Sequence, residues 1–108
     1  MFTQQEINFP SNCRIITHDL FNYDPENEFN IENSIKYLNE DLLQCYFPLE
    51  DLKVDLGWYG NIVKNEGEFR IYIIQSENWE YPVKVIHSKS IEETKTLLNN
   101  ILKYYAEK

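Results

Sequence analysis

The chain has 108 residues, of which 43% are hydrophobic and 15% aromatic. This length and composition predict one folded domain over residues 1–108 with a buried core, and they exclude disorder over most of the chain. The net charge of −8 disfavours direct binding to the phosphates of DNA or RNA.

The first thirty residues predict little regular structure apart from one strand. Residues 1–12 are expected to form a strap over the core or an edge strand, and residues 13–17 (CRIIT) a short strand. Residues 18–30 predict a loop with a turn at Asp24–Pro25, and this loop mixes aromatic and acidic side chains. Such a loop suits a recognition surface, but its rings could equally enter the core.

A first helix is predicted over residues 31–46, because apolar residues recur there at three- and four-residue spacing. The stripe comprises Ile31, Ile35, Leu38, Leu42 and Cys45 or Tyr46. Asn30 is the expected N-cap, and Pro48 ends the helix because it disfavours helical geometry at the residue before it.

Three strands are predicted between residues 52 and 87, where apolar and polar residues alternate with the period of two that is typical of half-buried strands. The connections are too short for a parallel crossover, so we expect an antiparallel meander. Gly57 within the first of these strands predicts a bulge or a close approach of another backbone segment.

A second helix is predicted over residues 90–105, opened by a capping box at Ser90–Glu93. The predicted order is therefore β-α-β-β-β-α. Because each helix has a single apolar stripe, we expect an α+β fold, a two-layer sandwich in which both helices pack on one face of an antiparallel sheet.

The sequence contains no convincing catalytic or cofactor-binding motif, so we expect no enzyme and no cofactor. His18 and His87 are isolated, and they lack the paired spacing with Cys13 and Cys45 that a structural zinc site needs. We expect both cysteines to be reduced thiols.

Neither a signal peptide nor an apolar run of about 18 residues is visible, which predicts no membrane span and a cytoplasmic location.

The negative charge is concentrated in one third of the chain. Between Asp19 and Asp55 there are ten acidic residues and two lysines, a net charge of −8, whereas the flanking segments are neutral. An acidic surface of this kind can steer a basic protein partner, although it can also serve only to keep a protein in solution.

Part of the chain resembles the small cytoplasmic immunity proteins of bacterial polymorphic-toxin and contact-dependent growth-inhibition systems. The resemblance lies in Gly57-Trp58-Tyr59, Gly67 with Phe69, Trp79 with Pro82, and the helix that begins at Ser90. It implies a non-enzymatic protein that binds one cognate toxin domain and covers its active or substrate-binding surface. The toxins of such systems are often nucleases with basic clefts.

The acidic third and this resemblance lead to one hypothesis, in which an acidic face with aromatic anchors binds a basic toxin domain. Tyr59 is expected to be exposed, and Trp79 either folds over the sheet edge or anchors the partner. The candidate partner-binding residues are Asp19, Phe21, Tyr23, Asp24, Glu26, Glu28, Phe29, Glu32, Glu40, Asp41, Tyr59 and Trp79. The alternatives are an interaction adaptor or homo-oligomer subunit and, behind both, a small enzyme using His18 or His87.

Overall fold

The computed structural model describes residues 2–107 and confirms an α+β architecture with one antiparallel sheet and two helices. The strands are β1 (Arg14–His18), β2 (Leu43–Phe47), β3 (Leu52–Asn61), β4 (Glu66–Gln75) and β5 (Lys84–Ser88). The helices are α1 (Ile31–Tyr37) and α2 (Ile91–Ala106). The strands are neighbours in chain order, so that β1 and β5 form the edges of the sheet.

The two layers meet at one hydrophobic core. Alternate residues of β2, β3 and β4 point to this inner face, where both helices contribute buried side chains. The fully or almost fully buried members include Cys45, Phe47, Val54, Leu56, Trp58, Phe69, Ile71, Leu98 and Leu102. The N-terminal segment forms the expected strap, since Phe2, Ile7 and Phe9 pack against this core.

The prediction of a helix over residues 31–46 is wrong in its second half. The helix ends at Tyr37, and Leu38 already has an extended backbone. The Asn39 side chain then accepts a hydrogen bond from the Asp41 N–H at 2.7 Å, a local turn that competes with helix formation. Residues 43–47 (LQCYF) alternate between buried and half-buried, so the period of two prevails over the helical spacing and adds a fourth strand between the helices.

Gly57 makes the close backbone approach that its position in a strand predicts. A Cβ atom at this residue would lie 2.8 Å from the Glu40 Cα and would collide with the Glu40 carbonyl group. The segment before β2 therefore runs directly against β3, and the Trp58 N–H donates to the Asn39 carbonyl at 2.7 Å. This contact fixes the position of Glu40 and Asp41, which lie just before β2, next to β3.

Two local features depart from ideal geometry. The pairing of β1 with β2 shifts register between Ile15 and Thr17, so that Ile16 is the extra residue of a β-bulge. At the start of α2 the Ser90 side chain caps the Glu93 N–H as predicted, but the Glu93 carboxylate accepts from the Ser88 hydroxyl at 2.7 Å. Only one half of the expected capping box is therefore formed.

Candidate functional site

Two of the predicted partner-binding residues serve the fold of the loop instead. Tyr23 is 1% exposed, and its hydroxyl lies 2.6 Å from the Ser34 Oγ and accepts from the Asn30 N–H at 3.0 Å. The Asp24 carboxylate is buried and accepts from Asn27 and from the Glu26 N–H. The Tyr23 ring is therefore not accessible to a partner in this structure, and the Asp24 carboxylate closes the turn on which Glu26 and Glu28 lie.

The same loop and α1 leave an apolar patch exposed. Phe29, Ile31 and Ile35 are 43%, 42% and 66% exposed. Phe21, another predicted anchor, is only half-buried and packs against the Tyr37 ring at 5.2 Å between ring centroids. The prediction placed Ile31 and Ile35 in the core because it assumed a longer helix. In the seven-residue helix that forms, the side facing the core presents Ser34 instead.

Exposed acidic side chains lie in the loop before α1, in α1, after β1 and before β2, and we call them together the acidic surface. They are Asp19, Glu26, Glu28, Glu32, Glu40 and Asp41. The Asp19 N–H donates to the Leu42 carbonyl at 2.7 Å, which brings Asp19 next to the segment that carries Asp41. Within residues 2–107, no member of the acidic surface forms an ion pair; the ion pairs found there join Lys53 to Glu77 and Glu68 to Arg70 and His87.

The outer face of the sheet, opposite the core, carries polar and aromatic side chains, and neither helix covers it in the described chain. Tyr59 is half-buried there rather than exposed. Its ring lies 5.7 Å from the Tyr72 ring and 5.0 Å from the Arg70 guanidinium, while Arg70 also pairs with Glu68 at 2.9 Å. Burial, followed by the nearby Asp55, raises the pKa of Tyr59 to about 12. Tyr59 is therefore a neutral ring that packs edge-to-face against Tyr72 on the outer face.

A small polar cavity of about 310 Å³ lies between β1, β2 and β3. Its lining comprises Thr17, Asp41, Leu43, Gln44 and Asp55. Asp55 is only 7% exposed, and its one hydrogen bond within the described residues is a long one, from the Gln44 Nε2 at 3.5 Å. Burial raises the pKa of the Asp55 carboxyl to about 6, and the charge of Asp41 contributes in the same direction. This cavity therefore contains a largely buried carboxylate that has a single, long side-chain hydrogen bond within the described residues.

Trp79 lies in the connection between β4 and β5, and the structure combines both interpretations of it. The Lys53 ammonium is 6.0 Å from the centroid of the Trp79 ring and pairs with Glu77 at 2.7 Å, which holds the connection against the outer face. The ring is nevertheless 45% exposed. It can therefore contact a partner without leaving its position.

The isolated histidines and cysteines occupy separate places. The His18 Nε2 contacts the Gln5 carbonyl at 2.8 Å beneath the strap, whereas His87 pairs with Glu68 on the outer face, and neither histidine lines the cavity at Asp55. Cys13 and Cys45 are free thiols in mutual contact, and burial raises the pKa of Cys45 to about 12. No group of three or more His, Cys, Asp or Glu side chains in residues 2–107 is arranged to hold a metal ion.

An apolar groove of about 640 Å³ separates β5 from the C-terminal half of α2. Ile73, Ile86, Leu97 and Ile101 line it together with Lys84 and aromatic side chains of the helix. Next to β5, Tyr81 and Val83 are 76% and 59% exposed. This edge is therefore another place where apolar side chains reach the surface.

Sequence reasoning missed Asp55, Gln44 and the exposed isoleucines of α1. For Asp55 a signal was present, because its position alternates with those of Val54 and Leu56 and therefore points away from the core. Gln44, Ile31 and Ile35 were missed because the predicted helix was too long: Gln44 lies in a strand, and Ile31 and Ile35 lie on the exposed side of a short helix.

Comparisons with protein-family models, with curated proteins and with solved structures find no match to this chain. Within the described residues, no helix combines the length and the apolar character that crossing a bilayer requires.

Proposed function

We propose that this protein is a cytoplasmic immunity protein that binds a basic toxin domain, most simply a nuclease, and blocks its substrate-binding surface. The acidic surface takes the place of the phosphates that such a cleft binds. Phe29, Ile31 and Ile35 supply the apolar centre of the interface, in keeping with the apolar core and polar rim of protein interfaces. In this proposal the protein catalyses no reaction and needs no cofactor.

One observation supports this proposal above the others, namely that the acidic surface is not neutralised by the protein itself. Its six side chains are exposed and form no internal ion pair. Like charges held close together repel each other and cost stability, and a basic partner relieves that repulsion. Apolar side chains exposed among these charges supply the contact area that charge alone does not.

The first test is recovery of the partner. The protein is used as bait in an extract of its native host with a low-salt wash, and we expect a stoichiometric basic partner. Recovery of no partner, or only of further copies of the bait, would refute the proposal.

The acidic surface is then tested by charge reversal of Glu26, Glu28 and Glu32. Asp24 is left unchanged because its carboxylate closes the loop. We expect the association rate to fall about tenfold or more at low salt and to lose most of its salt dependence. The matched control reverses Glu80, Glu92 and Glu107, which changes the net charge equally but lies outside the acidic surface. Equal effects in the two triple variants would show that net charge, and not this surface, steers the partner.

A second candidate function, a homo-oligomer subunit, is favoured by the apolar groove beside β5 and by the exposed Val83 and Tyr81. It predicts self-association that resists salt, because apolar contacts are not screened. Sedimentation velocity at 0.05 and 0.5 M NaCl distinguishes the two functions. A monomer at both salt concentrations would rule this candidate out.

A further inference from the structure

We propose that the cavity between β1, β2 and β3 is a receptor for one arginine side chain of the protein partner. This inference rests on the proposed function, since it names the place where one basic side chain of that partner is bound. It concerns a defined cavity rather than the acidic surface as a whole.

The starting observation is the carboxylate of Asp55. Asp55 is 7% exposed and yet has one hydrogen bond, at 3.5 Å, within the described residues. An ionised carboxylate has about four acceptor sites, and buried carboxylates normally fill them with partners. The nearest cation along the strand, Lys53, is engaged with Glu77 at 2.7 Å. Asp55 therefore retains acceptor capacity that the fold does not use.

The cavity gives this carboxylate access to a ligand. It lies on the face of the sheet that neither helix covers, and Asp41 in its lining is exposed. The register places Gln44 opposite both Thr17 and Asp55, so the three side chains project into the same space. Burial raises the pKa of Asp55 by more than the Gln44 hydrogen bond and the charge of Lys53 lower it.

The arrangement of acceptors favours a guanidinium over an ammonium. Two carboxylates, the amide oxygen of Gln44 and the hydroxyl of Thr17 surround one small volume. A guanidinium offers five N–H donors in a planar fork and can bind a carboxylate with two parallel bonds, whereas an ammonium is a compact charge with three donors. The volume of about 310 Å³ admits the planar group together with part of its aliphatic stem.

The test uses small probes and the intact protein, so it does not depend on finding the partner. N-acetyl-arginine amide is titrated into the isotope-labelled chain at pH 7.5 and low salt, with the corresponding citrulline and lysine amides as neutral and ammonium controls. We expect saturable shifts of the backbone signals of Thr17, Asp41, Gln44 and Asp55 with the arginine probe. The lysine probe should bind several-fold more weakly, and the citrulline probe should cause no saturable shift.

Substitutions of the two carboxylates test whether they bind the arginine probe. Asp55→Asn keeps the shape of the side chain and should weaken arginine binding at least tenfold, while Asp41→Asn should weaken it two- to threefold. Glu80→Gln is the matched control, because it removes the same charge from an exposed position outside the cavity. An unchanged spectrum away from the cavity shows that each variant is folded.

Three outcomes would overturn the inference: shifts spread evenly over the acidic surface, equal binding of the lysine probe, or equal binding by Asp55→Asn. These outcomes are separable from failure of the proposed function. A basic partner that is captured through Glu26, Glu28 and Glu32 while the probe fails to bind would refute only the arginine receptor. Saturable probe binding in a protein that captures no basic partner would refute only the immunity function.

Discussion

Asp55 shows how one buried carboxyl group can lower the stability of the free protein. Its carboxyl is held in a place that favours the neutral acid, because burial disfavours the charge and Asp41 repels it, while Gln44 and Lys53 compensate only in part. A carboxyl whose pKa is higher in the folded state than in the unfolded state destabilises the fold wherever it must ionise. The cost is thus present above the folded pKa and disappears below the unfolded pKa.

We therefore predict that Asp55→Asn stabilises the protein in a pH-dependent manner. The folded pKa is about 6 against an ordinary value of 3.8, so the destabilisation grows as the pH rises from about 4 to about 6 and is complete above that. A shift of this size corresponds to about 2–3 kcal/mol in the free energy of unfolding at pH 8. Urea unfolding at pH 8 and pH 4.5 checks this. The gain over the wild type should be largest at pH 8, and an equal gain at both values would contradict the prediction.

At the scale of elements, the sequence predicted those parts of the fold where only one periodicity fits. Residues 52–58 and 69–73 alternate with a period of two, which fits only a strand. The apolar residues from Ile91 to Leu102 recur at helical spacing and do not alternate, which fits only a helix. Residues 38–46 satisfy both patterns, because apolar residues stand three or four apart and also alternate in LQCYF. The Asn39 turn and the pairing with β3 decide between them, and the pairing is a tertiary contact that no local pattern contains.

The same reasoning applies to the candidate site. The sequence shows the concentration of acidic residues and the mixed composition of the loop, and these features predict Glu26, Glu28, Phe29 and Glu32 as partner-binding residues. The sequence left open whether Tyr23 is exposed or buried, because its burial depends on the tertiary contact between its hydroxyl and Ser34. The cavity around Asp55 requires three neighbouring strands in register, so it could not be predicted without the strand order.

The short α1 leads to a prediction that a long buried helix would contradict. Ile35 is 66% exposed, so Ile35→Ser should change the free energy of unfolding by less than about 0.5 kcal/mol, whereas a core isoleucine would cost several. Leu98→Ala in α2 is the matched comparison, because Leu98 is fully buried, and it should cost about 2–4 kcal/mol. Chemical unfolding of the two variants gives the answer. A large loss of stability in Ile35→Ser would place that side chain in the core.

At the scale of the whole molecule, the distribution of charge matters more than its sum. The ion pairs of the described chain all involve residues after position 52, whereas the acidic surface lies before it. The described chain therefore has one region that contains ion pairs and one region of exposed acidic side chains without them. Screening by salt acts mainly on the second region.

This division predicts that salt stabilises the free protein. Raising NaCl from 0.05 to 0.5 M should increase the midpoint of thermal unfolding by several degrees, because screening weakens repulsion within the acidic surface. The triple reversal of Glu26, Glu28 and Glu32 should reduce this increase, since it replaces repulsion with attraction to the remaining acids. Thermal scans of both proteins across the salt series check the prediction. An equal salt effect in both would mean that the repulsion lies elsewhere.

The bulge at Ile16 has a consequence for the behaviour of this protein at high concentration. The strand β1 forms one edge of the sheet and carries Ile15 and Ile16 at 54% and 51% exposure, and a flat, exposed edge strand is a template for adding strands from other molecules. The extra residue bends the strand and interrupts the ladder of backbone donors and acceptors that such stacking needs. We therefore expect this irregularity to hinder fibril-like polymerisation, and we expect a chain that lacks Ile16 to present a straighter edge.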